Sequence, residues 1–258
     1  MEFRPCIDIH NGKVKQIVGG SLQDENDRAV DNFVSEKDGA FYAEFYQKKG
    51  CRGGHVILLN PVGSPYYEAT KAQALLALSK YPGGLQLGGG ITPDNASAFL
   101  EAGASHVIVT SYVFQNGRIH YDRLKELCNK VGKEHLVLDL SCRKKGEEYL
   151  VVTDRWQKWT QEVVDEALLE KLSGFCNEFL VHAVDVEGRA EGIETQLVSL
   201  LGKLTGRTVT YAGGVHSMKD LRLLKELGQN RVNVTVGSAL DLFGGNLSFQ
   251  EILDFCKE

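Results

Sequence analysis

Short runs of apolar, mostly β-branched residues alternate along the chain with stretches in which apolar residues recur at helical spacing. The apolar runs predict strands at Phe3–Ile9, His55–Leu59, Leu85–Leu87, His106–Val109, His135–Leu140, Phe179–Val184, Thr208–Tyr211 and Val232–Val236. The amphipathic stretches predict helices at Gly39–Lys49, Tyr66–Lys80, Asp94–Ala102, Tyr121–Val131, Glu162–Leu172, Glu194–Lys203, Met218–Leu227 and Phe249–Lys257. Because the strand runs are continuously apolar, both faces of each strand should be buried, as in parallel sheets covered by helices.

Eight strand–helix units fill the 258 residues, with no recognisable linker or low-complexity segment between them. Eight units fit a barrel better than a doubly wound sheet, and no G-x-G-x-x-G fingerprint follows the first strand. We therefore expect an α/β protein, a single-domain (β/α)8 TIM barrel over residues 1–258. A glycine motif recurs at half-chain distance, which suggests that two similar half-barrels of four units each make up the barrel.

The glycine motif reads LGGGIT at residues 87–92 and AGGVH at residues 212–216. Each copy follows an apolar run and precedes an amphipathic stretch, so it predicts a strand, a glycine turn and a helix N-terminus. Glycines let backbone N–H groups approach an anion, and the helix adds unpaired amides and the positive end of its dipole. A second small-residue turn follows each helix, at residues 109–111 and 236–238. One glycine pair alone is usually only a tight turn, but the repeated set predicts two phosphate sites for one substrate.

Two aspartates interrupt otherwise apolar strands, Asp8 in the first strand and Asp139 in the fifth. A carboxylate in such a strand is costly to desolvate unless it has partners or a purpose. The first and fifth strands lie opposite each other in an eight-stranded barrel, so the two carboxylates should face each other across the mouth. Such a pair can serve as general base and general acid. The alternative is that each aspartate only fixes a neighbouring loop.

Four other side chains are weaker candidates for the site. His55 and His182 lie at the ends of strands, where a histidine is more often structural than catalytic. Arg143 has the fork geometry that binds phosphate, but it lies beside two lysines and could belong to a solvated loop. Trp156 could stack on a heterocycle or simply pack against its neighbours.

Two connections exceed the usual loop length and could close over the mouth, Gly19–Val34 and Ser141–Thr160. The second contains the sequence KKGE at residues 144–147 between segments that can pair as a small hairpin. Asp185 follows the sixth strand, and we expect it to cap a helix or loop.

Composition narrows the class of protein. With 43% hydrophobic residues, 24% charged residues and a net charge of −5, the chain is not expected to bind nucleic acid in general. No apolar run approaches the roughly 20 residues that span a membrane. Strand-like sequence begins at Phe3, so we expect no signal or transit peptide and a cytoplasmic protein, or one of the plastid stroma if a plant transit peptide was removed. The six cysteines form no C-x-x-C pair and no histidine lies at zinc spacing, so we expect free thiols, no metal and no cofactor.

Several motifs together resemble the phosphoribosylformimino-5-aminoimidazole carboxamide ribotide isomerases of histidine biosynthesis, in their fungal and plant form. They are CIDIHNGKV at 6–14, GHV at 54–56, LGGG at 87–90, LDLSCRK at 138–144, DRW at 154–156, DVEG at 185–188, YAGG at 211–214 and VGS at 236–238. The match runs nearly from end to end and is highly specific for the superfamily of barrels built from two halves.

The resemblance implies an Amadori rearrangement, in which the N-glycosylamine (aminoaldose) ProFAR becomes the aminoketose PRFAR without a cofactor. It implies that Asp8 removes the ribose C2 proton and that Asp139 protonates the ring oxygen, although the pattern would be the same with these roles exchanged. The implied binding residues are Gly20, His55, Gly89, Gly90, Thr110, Ser111, Arg143, Trp156, His182, Gly213, Gly214, Gly237 and Ser238. The implied partner is a small bis-phosphorylated substrate, bound by a monomer that makes at most transient contact with the next enzyme of the pathway.

Two alternatives remain at this point. The cyclase subunit of imidazole glycerol phosphate synthase is also a two-phosphate barrel, but it typically continues after its first strand as DGRVVKG, where this chain has NGKVKQ at residues 11–16. A non-catalytic sugar-phosphate-binding barrel would need the phosphate sites but not both aspartates.

The chain also departs from the bacterial members of the family. Leu58 and Asn60 replace acidic residues after the second strand, and His182 and Ala183 replace a Thr-Asp pair after the sixth. The loss at Ala183 favours Asp139 as the acid and argues against an additional activity in tryptophan synthesis. For His182 we hypothesise a hydrogen bond donated to the substrate.

Overall fold

The computed structural model describes residues 1–18, 21–22, 29–189 and 191–257. Eight parallel strands form its central sheet: β1 (Cys6–His10), β2 (Gly54–Leu58), β3 (Leu85–Gly88), β4 (Val107–Val109), β5 (Leu136–Asp139), β6 (Glu178–His182), β7 (Thr208–Ala212) and β8 (Val232–Thr235). Each strand is hydrogen-bonded to its neighbours in sequence order, from β1 to β8.

The sheet closes on itself through the residues that precede β1. Phe3 forms a parallel bridge with Val234 of β8. The amide of Arg4 donates to the Val234 carbonyl at 2.9 Å, and the Val234 amide donates to the Glu2 carbonyl at 2.9 Å. The first predicted strand is therefore shorter than expected at its start, because residues 3–4 serve to close the barrel.

Helices follow the strands and cover the outside of the barrel. They are α1 (Gly39–Lys49), α2 (Tyr67–Lys80), α3 (Pro93–Glu101), α4 (Tyr121–Val131), α5 (Glu166–Leu172), α6 (Thr195–Lys203), α7 (Met218–Leu227) and α8 (Phe249–Lys257). The main apolar core lies between these helices and the strands. Inside the barrel, Ile108, Val137, Leu180 and Ala212 pack with Ile57, so side chains fill the interior beneath the mouth.

The predicted helix at Glu162–Leu172 is too long at its start. A three-stranded antiparallel sheet (Cys142–Lys145, Glu148–Thr153 and Lys158–Val163) occupies the loop after β5, and its last strand continues to Val163. Helix α5 begins only at Glu166, because the Asp165 carboxylate caps it by accepting from the Leu168 amide at 2.7 Å. The hairpin predicted around residues 144–147 is confirmed by the pairing of the first two strands of this sheet.

The other long loop also contains β structure. Strand Lys13–Ile17 pairs antiparallel with β1 and with strand Asp31–Val34. Residues 19, 20 and 23–28 of the predicted closing loop lie outside the described part of the chain. The architecture is the (β/α)8 barrel that the sequence predicts.

Candidate active site

A cavity of about 390 Å³ opens at the carboxyl ends of the strands. Asp8 and Asp139 both line it, and β1 and β5 lie on opposite sides of the closed barrel. A second cavity of about 250 Å³ shares Glu187, Gly213 and Gly237 with the first. Together they form one elongated site of the size typical for small-molecule ligands.

Asp8 faces the cavity and is surrounded by protein on its other sides. Burial raises the pKa of Asp8 to about 7, with a further contribution from the negative charge of Glu187. The positive charge of His182 and a hydrogen bond from the Cys6 thiol act in the opposite direction. Asp8 therefore changes its protonation state close to neutral pH, where a general base is most useful.

Three hydrogen bonds fix the carboxylate of Asp139. Its Oδ1 accepts from the backbone amide and the hydroxyl of Ser141, each at 2.7 Å. Its Oδ2 accepts from Thr110 Oγ1 at 2.9 Å. Burial raises the pKa of Asp139, and these hydrogen bonds offset only part of that rise. A raised pKa makes it easier for a carboxyl group to hold a proton and deliver it as an acid.

His182 lies among the acidic groups of the site. Its Nε2 is 3.0 Å from Glu187 Oε2, yet in the described part of the chain this buried atom makes no well-aligned hydrogen bond. Burial works to lower the pKa of His182, but the charges of Glu187, Asp139 and Asp8 outweigh it and raise the pKa overall. The ring of Trp156 meets the His182 ring edge to face, with centroids 4.9 Å apart. The site therefore contains an imidazole whose pKa is raised by its acidic neighbours and whose Nε2 lies against Glu187.

The first glycine turn has two residues with positive φ directly before a helix N-terminus. Gly89 has φ +104° and Gly90 has φ +67°, backbone conformations that glycine adopts without strain. A Cβ on Gly89 would collide with the carbonyl of Leu58. The turn leads into α3, where the Thr92 amide donates to the Asn95 side chain at 2.9 Å in a capping box.

The second glycine turn repeats this geometry in the other half of the barrel. Gly213 has φ +115° and Gly214 has φ +74°, close to the values of the first turn. It leads into α7, whose N-terminus has a capping box between Ser217 and Asp220. Gly237 lies against the side chain of Gln16, whose Oε1 would have to shift to admit a Cβ. The repetition of both backbone and cap supports a barrel of two similar halves.

Most of the other predicted site residues line one or both of the cavities. Those that line the first cavity are His55, Gly89, Gly90, Thr110, Ser111, Trp156, His182, Gly213 and Gly237, and those that line the second include Gly213, Gly214, Gly237 and Ser238. Burial lowers the pKa of His55 to about 3, so its imidazole is neutral. Thr110 donates its hydroxyl to Asp139, and its part in the first phosphate site stays a prediction.

Arg143 lies apart from both described cavities. Its Nε donates to Asp185 Oδ1 at 2.7 Å, and its guanidinium group lies over the Trp159 ring, 5.2 Å from the centroid. Asp185 also accepts from the Lys144 amide at 2.8 Å, so it caps the loop as expected. Gly20, the remaining predicted binding residue, lies outside the described residues.

Sequence reasoning missed three contributors to the site. Ser141 holds Asp139, Glu187 pairs with His182, and the Cys6 thiol contacts Asp8. Ser141 and Cys6 each lie two positions from an aspartate, and this spacing was a usable signal because residues i and i+2 of a strand share a face. The partner of His182 follows only from the three-dimensional path of the loop after β6.

Fold and site together define a (β/α)8-barrel enzyme whose mouth holds two half-buried carboxylates and two glycine turns. Among the described residues, no helix is both long and apolar enough to cross a membrane. The family described as "Histidine biosynthesis protein" matches residues 2–247, and the chain belongs to this family.

Three relatives carry the same enzyme name, 1-(5-phosphoribosyl)-5-((5-phosphoribosylamino)methylideneamino) imidazole-4-carboxamide isomerase. The one from Medicago truncatula, named as chloroplastic, is 54% identical over 257 residues, covering 98% of this chain and 81% of that protein. The one from Neurospora crassa is 43% identical over 257 residues, covering 98% and 97%. The one from Saccharomyces cerevisiae is 42% identical over 253 residues, covering 95% and 94%. These names agree with the predicted isomerase and not with the alternative, the cyclase subunit of imidazole glycerol phosphate synthase.

Proposed function

We propose that this protein catalyses the isomerisation for which its relatives are named, the Amadori rearrangement of ProFAR to PRFAR in histidine biosynthesis. The observation that carries the proposal is the pair Asp8 and Asp139, which line one cavity from opposite strands. The net reaction moves protons within one molecule, so it needs two groups that exchange protons and no redox cofactor.

In the proposed mechanism, Asp139 donates a proton to the ring oxygen of the aminoaldose, and the furanose opens to an iminium ion. Asp8 then removes the C2 proton, which gives an enolamine that tautomerises to the aminoketose. Burial raises the pKa of both carboxyl groups, which fits proton exchange by this pair, and the same shifts are compatible with the two roles exchanged. His182, which lines the same cavity, donates an N–H to a substrate oxygen between the two acids.

The two glycine turns bind the two phosphates of the substrate in this proposal. Gly89, Gly90, Thr110 and Ser111 belong to the first phosphate site, and Gly213, Gly214, Gly237 and Ser238 belong to the second. Gly20, His55, Arg143 and Trp156 complete the proposed set of binding residues. Arg143 binds Asp185 through Nε, and in this proposal its Nη groups contact the substrate.

We further propose that residues 1–258 make up one domain and that the protein acts as a monomer. It binds a small bis-phosphorylated substrate, with no nucleic acid or membrane partner and only transient contact with the next pathway enzyme. It acts in the cytoplasm, or in the plastid stroma if the source is a plant.

The test is a coupled assay in which the purified protein receives the aminoaldose and the cyclase partner consumes the aminoketose. Wild type should turn over, and Asp8→Asn and Asp139→Asn should each lose at least about 100-fold in kcat/KM. The kcat/KM of wild type should rise with pH through about 7 as Asp8 loses its proton. A folded wild type that binds the substrate without turnover would instead favour the cyclase or a binding protein.

His182 is tested by two substitutions that differ in their ability to donate. His182→Ala should lose turnover or substrate affinity, by about tenfold or more, because the substrate loses a charge-assisted hydrogen bond. His182→Gln keeps an N–H donor and should recover part of the loss. Normal turnover and affinity in His182→Ala would rule out the proposed contact.

A further inference from the structure

Cys6, Asp8 and His55 bring three different metal-ligating side chains together on the floor of the cavity. One ligand atom from each, a thiol sulfur, a carboxylate oxygen and an imidazole nitrogen, lies within 4.8 Å of the other two. None of these residues is needed to explain a phosphate site, and only Asp8 is a proton-transfer group in the proposed mechanism.

Strand geometry determines this cluster. Cys6 and Asp8 are two positions apart on β1, so their side chains point to the same face of the sheet. His55 of β2 is the direct register partner of Cys6. All three line the cavity, so a small ion that enters at the mouth reaches them without any opening of the barrel.

We propose that Cys6, Asp8 and His55 form an inhibitory binding site for a thiophilic divalent cation of the Zn²⁺ class. A thiol, an imidazole and a carboxylate are the side chains that bind zinc in proteins, whereas magnesium and calcium prefer oxygen ligands alone. Zinc ligands at about 2.0–2.3 Å from the ion lie about 3.3–3.8 Å apart. Since no separation in the cluster exceeds 4.8 Å, each has to shorten by at most about 1.5 Å, which small side-chain rotations supply. The fourth position faces the cavity and takes a water molecule.

Binding of the ion has a defined chemical consequence. The sulfur–hydrogen bond of Cys6 breaks, its proton leaves to solvent, and a sulfur–metal bond forms without any change of oxidation state. The carboxylate of Asp8 becomes a ligand and can no longer accept the substrate proton. The inhibitory part of the inference rests on the proposed function, but the binding part does not.

Binding is measured first, with Co²⁺ as a spectroscopic probe added to the full-length protein without substrate. Wild type should develop a thiolate-to-cobalt charge-transfer absorption, and Zn²⁺ should displace it. Cys6→Ala should lose the band, and its affinity for Zn²⁺ should fall at least about 100-fold, since even residues outside the ligand shell contribute about 10–100-fold.

The matched control is Cys176→Ala, which removes another buried thiol that donates to the carbonyl of Leu172 outside the cluster. It should keep the band and the affinity. Because Cys6 is buried, His55→Gln supplies a second variant that keeps the thiol, and it should also lose at least about tenfold in affinity. The proposed metal site would be contradicted by a cobalt band that persists in Cys6→Ala. It would also be contradicted if wild type, Cys6→Ala and His55→Gln bound Zn²⁺ with equal affinity.

Inhibition is measured next, with each variant compared with its own rate in the presence of a chelator. Zn²⁺ should inhibit wild type and Cys176→Ala competitively with substrate, and the chelator should restore activity. Cys6→Ala should need at least about 100-fold more Zn²⁺ for half-inhibition. A Cys6-dependent cobalt band in a protein without isomerase activity would contradict the proposed function and support the metal site. An active isomerase without that band would support the proposed function and contradict the metal site.

Discussion

Asp8 and Asp139 lie where the proposed reaction needs carboxyl groups, but their surroundings destabilise the charged form of each. Both lie in strands that are otherwise apolar, and burial raises the pKa of each. Asp139 is compensated by Ser141 and Thr110, whose hydrogen bonds favour its charged form. Asp8 has less compensation, because Glu187 adds a second negative charge beside it. Fewer hydrogen bonds therefore offset the desolvation of the Asp8 carboxylate than of the Asp139 carboxylate.

Asp8→Asn should therefore stabilise the protein while removing its activity. The pKa of Asp8 rises from 3.8 to about 7 on folding, so the folded state binds a proton that the unfolded state lacks between these values. Wild-type stability should fall as pH rises through this window, and the Asn variant should not share that loss. At pH 8 the variant should gain roughly 2–4 kcal/mol in the free energy of unfolding, and at pH 5 clearly less.

Urea unfolding at both pH values measures this difference. Asp254→Asn, at an exposed position on α8, is the control and should change stability little at either pH. A gain in Asp8→Asn that is equal at pH 5 and pH 8 would mean that desolvation of the charged form is not its origin.

At the scale of elements, the two glycine turns have nearly the same backbone but different surroundings. Among the residues that the structure describes, a Cβ on Gly90 would meet only Val62 Cγ2 at 3.8 Å, whereas a Cβ on Gly214 would collide with the carbonyl of Gly192. The two halves of the barrel thus share the turn conformation, but the loop after β6 packs closely over the second turn alone. Equivalent positions in sequence are not equivalent in packing.

Alanine at these two positions should reveal the asymmetry. Gly90→Ala should cost about 1–2 kcal/mol, because only the positive φ is unfavourable. Gly214→Ala should cost about 2–5 kcal/mol, because the collision adds to the same strain. Gly146→Ala, at φ +62° with no atom near its Cβ, serves as a reference for the strain alone. Unfolding without ligand measures all three, and equal losses at Gly90 and Gly214 would contradict the packing argument.

Over the whole molecule, the two ends of the barrel have different tasks. At the end opposite the site, Glu178 is 3% exposed and accepts hydrogen bonds from Arg4, Gln86 and Thr210. Arg4 lies beside the Phe3 bridge that closes the barrel. This network connects β6 to residues 3–4, which close the barrel. Its residues do not line the cavities described above. Its role is stability, as expected for the amino-terminal end of a barrel.

Glu178→Ala should lower the free energy of unfolding by about 3–5 kcal/mol, because it leaves Arg4 without its buried partner. The folded variant should keep the KM and kcat of wild type. Glu2→Ala removes the exposed carboxylate that also pairs with Arg4, and it should cost less than about 1 kcal/mol. A changed KM in folded Glu178→Ala would show that the two ends of the barrel are coupled.

The sequence by itself determined the fold class, the eight strand–helix units, the two aspartates and the two glycine turns. These follow from local rules: hydrophobic period distinguishes strands from helices, and a glycine turn between them marks a helix N-terminus. The sequence-based prediction was wrong at the start of α5. A strand ends and a helix begins on either side of Asp165, and the apolar spacing of residues 162–165 fits both. The position of Gly20 relative to the site stays a prediction.

Only the tertiary structure decided which side chains meet. Thr110 binds Asp139, Glu187 pairs with His182, and Arg143 pairs with Asp185, all between different loops or strands. The neighbourhood of Cys6 and His55 likewise depends on the register of β1 against β2. A register shift by one residue would turn one of these side chains to the opposite face. Such contacts depend on the closed barrel as a whole, and no local pattern in the chain encodes them.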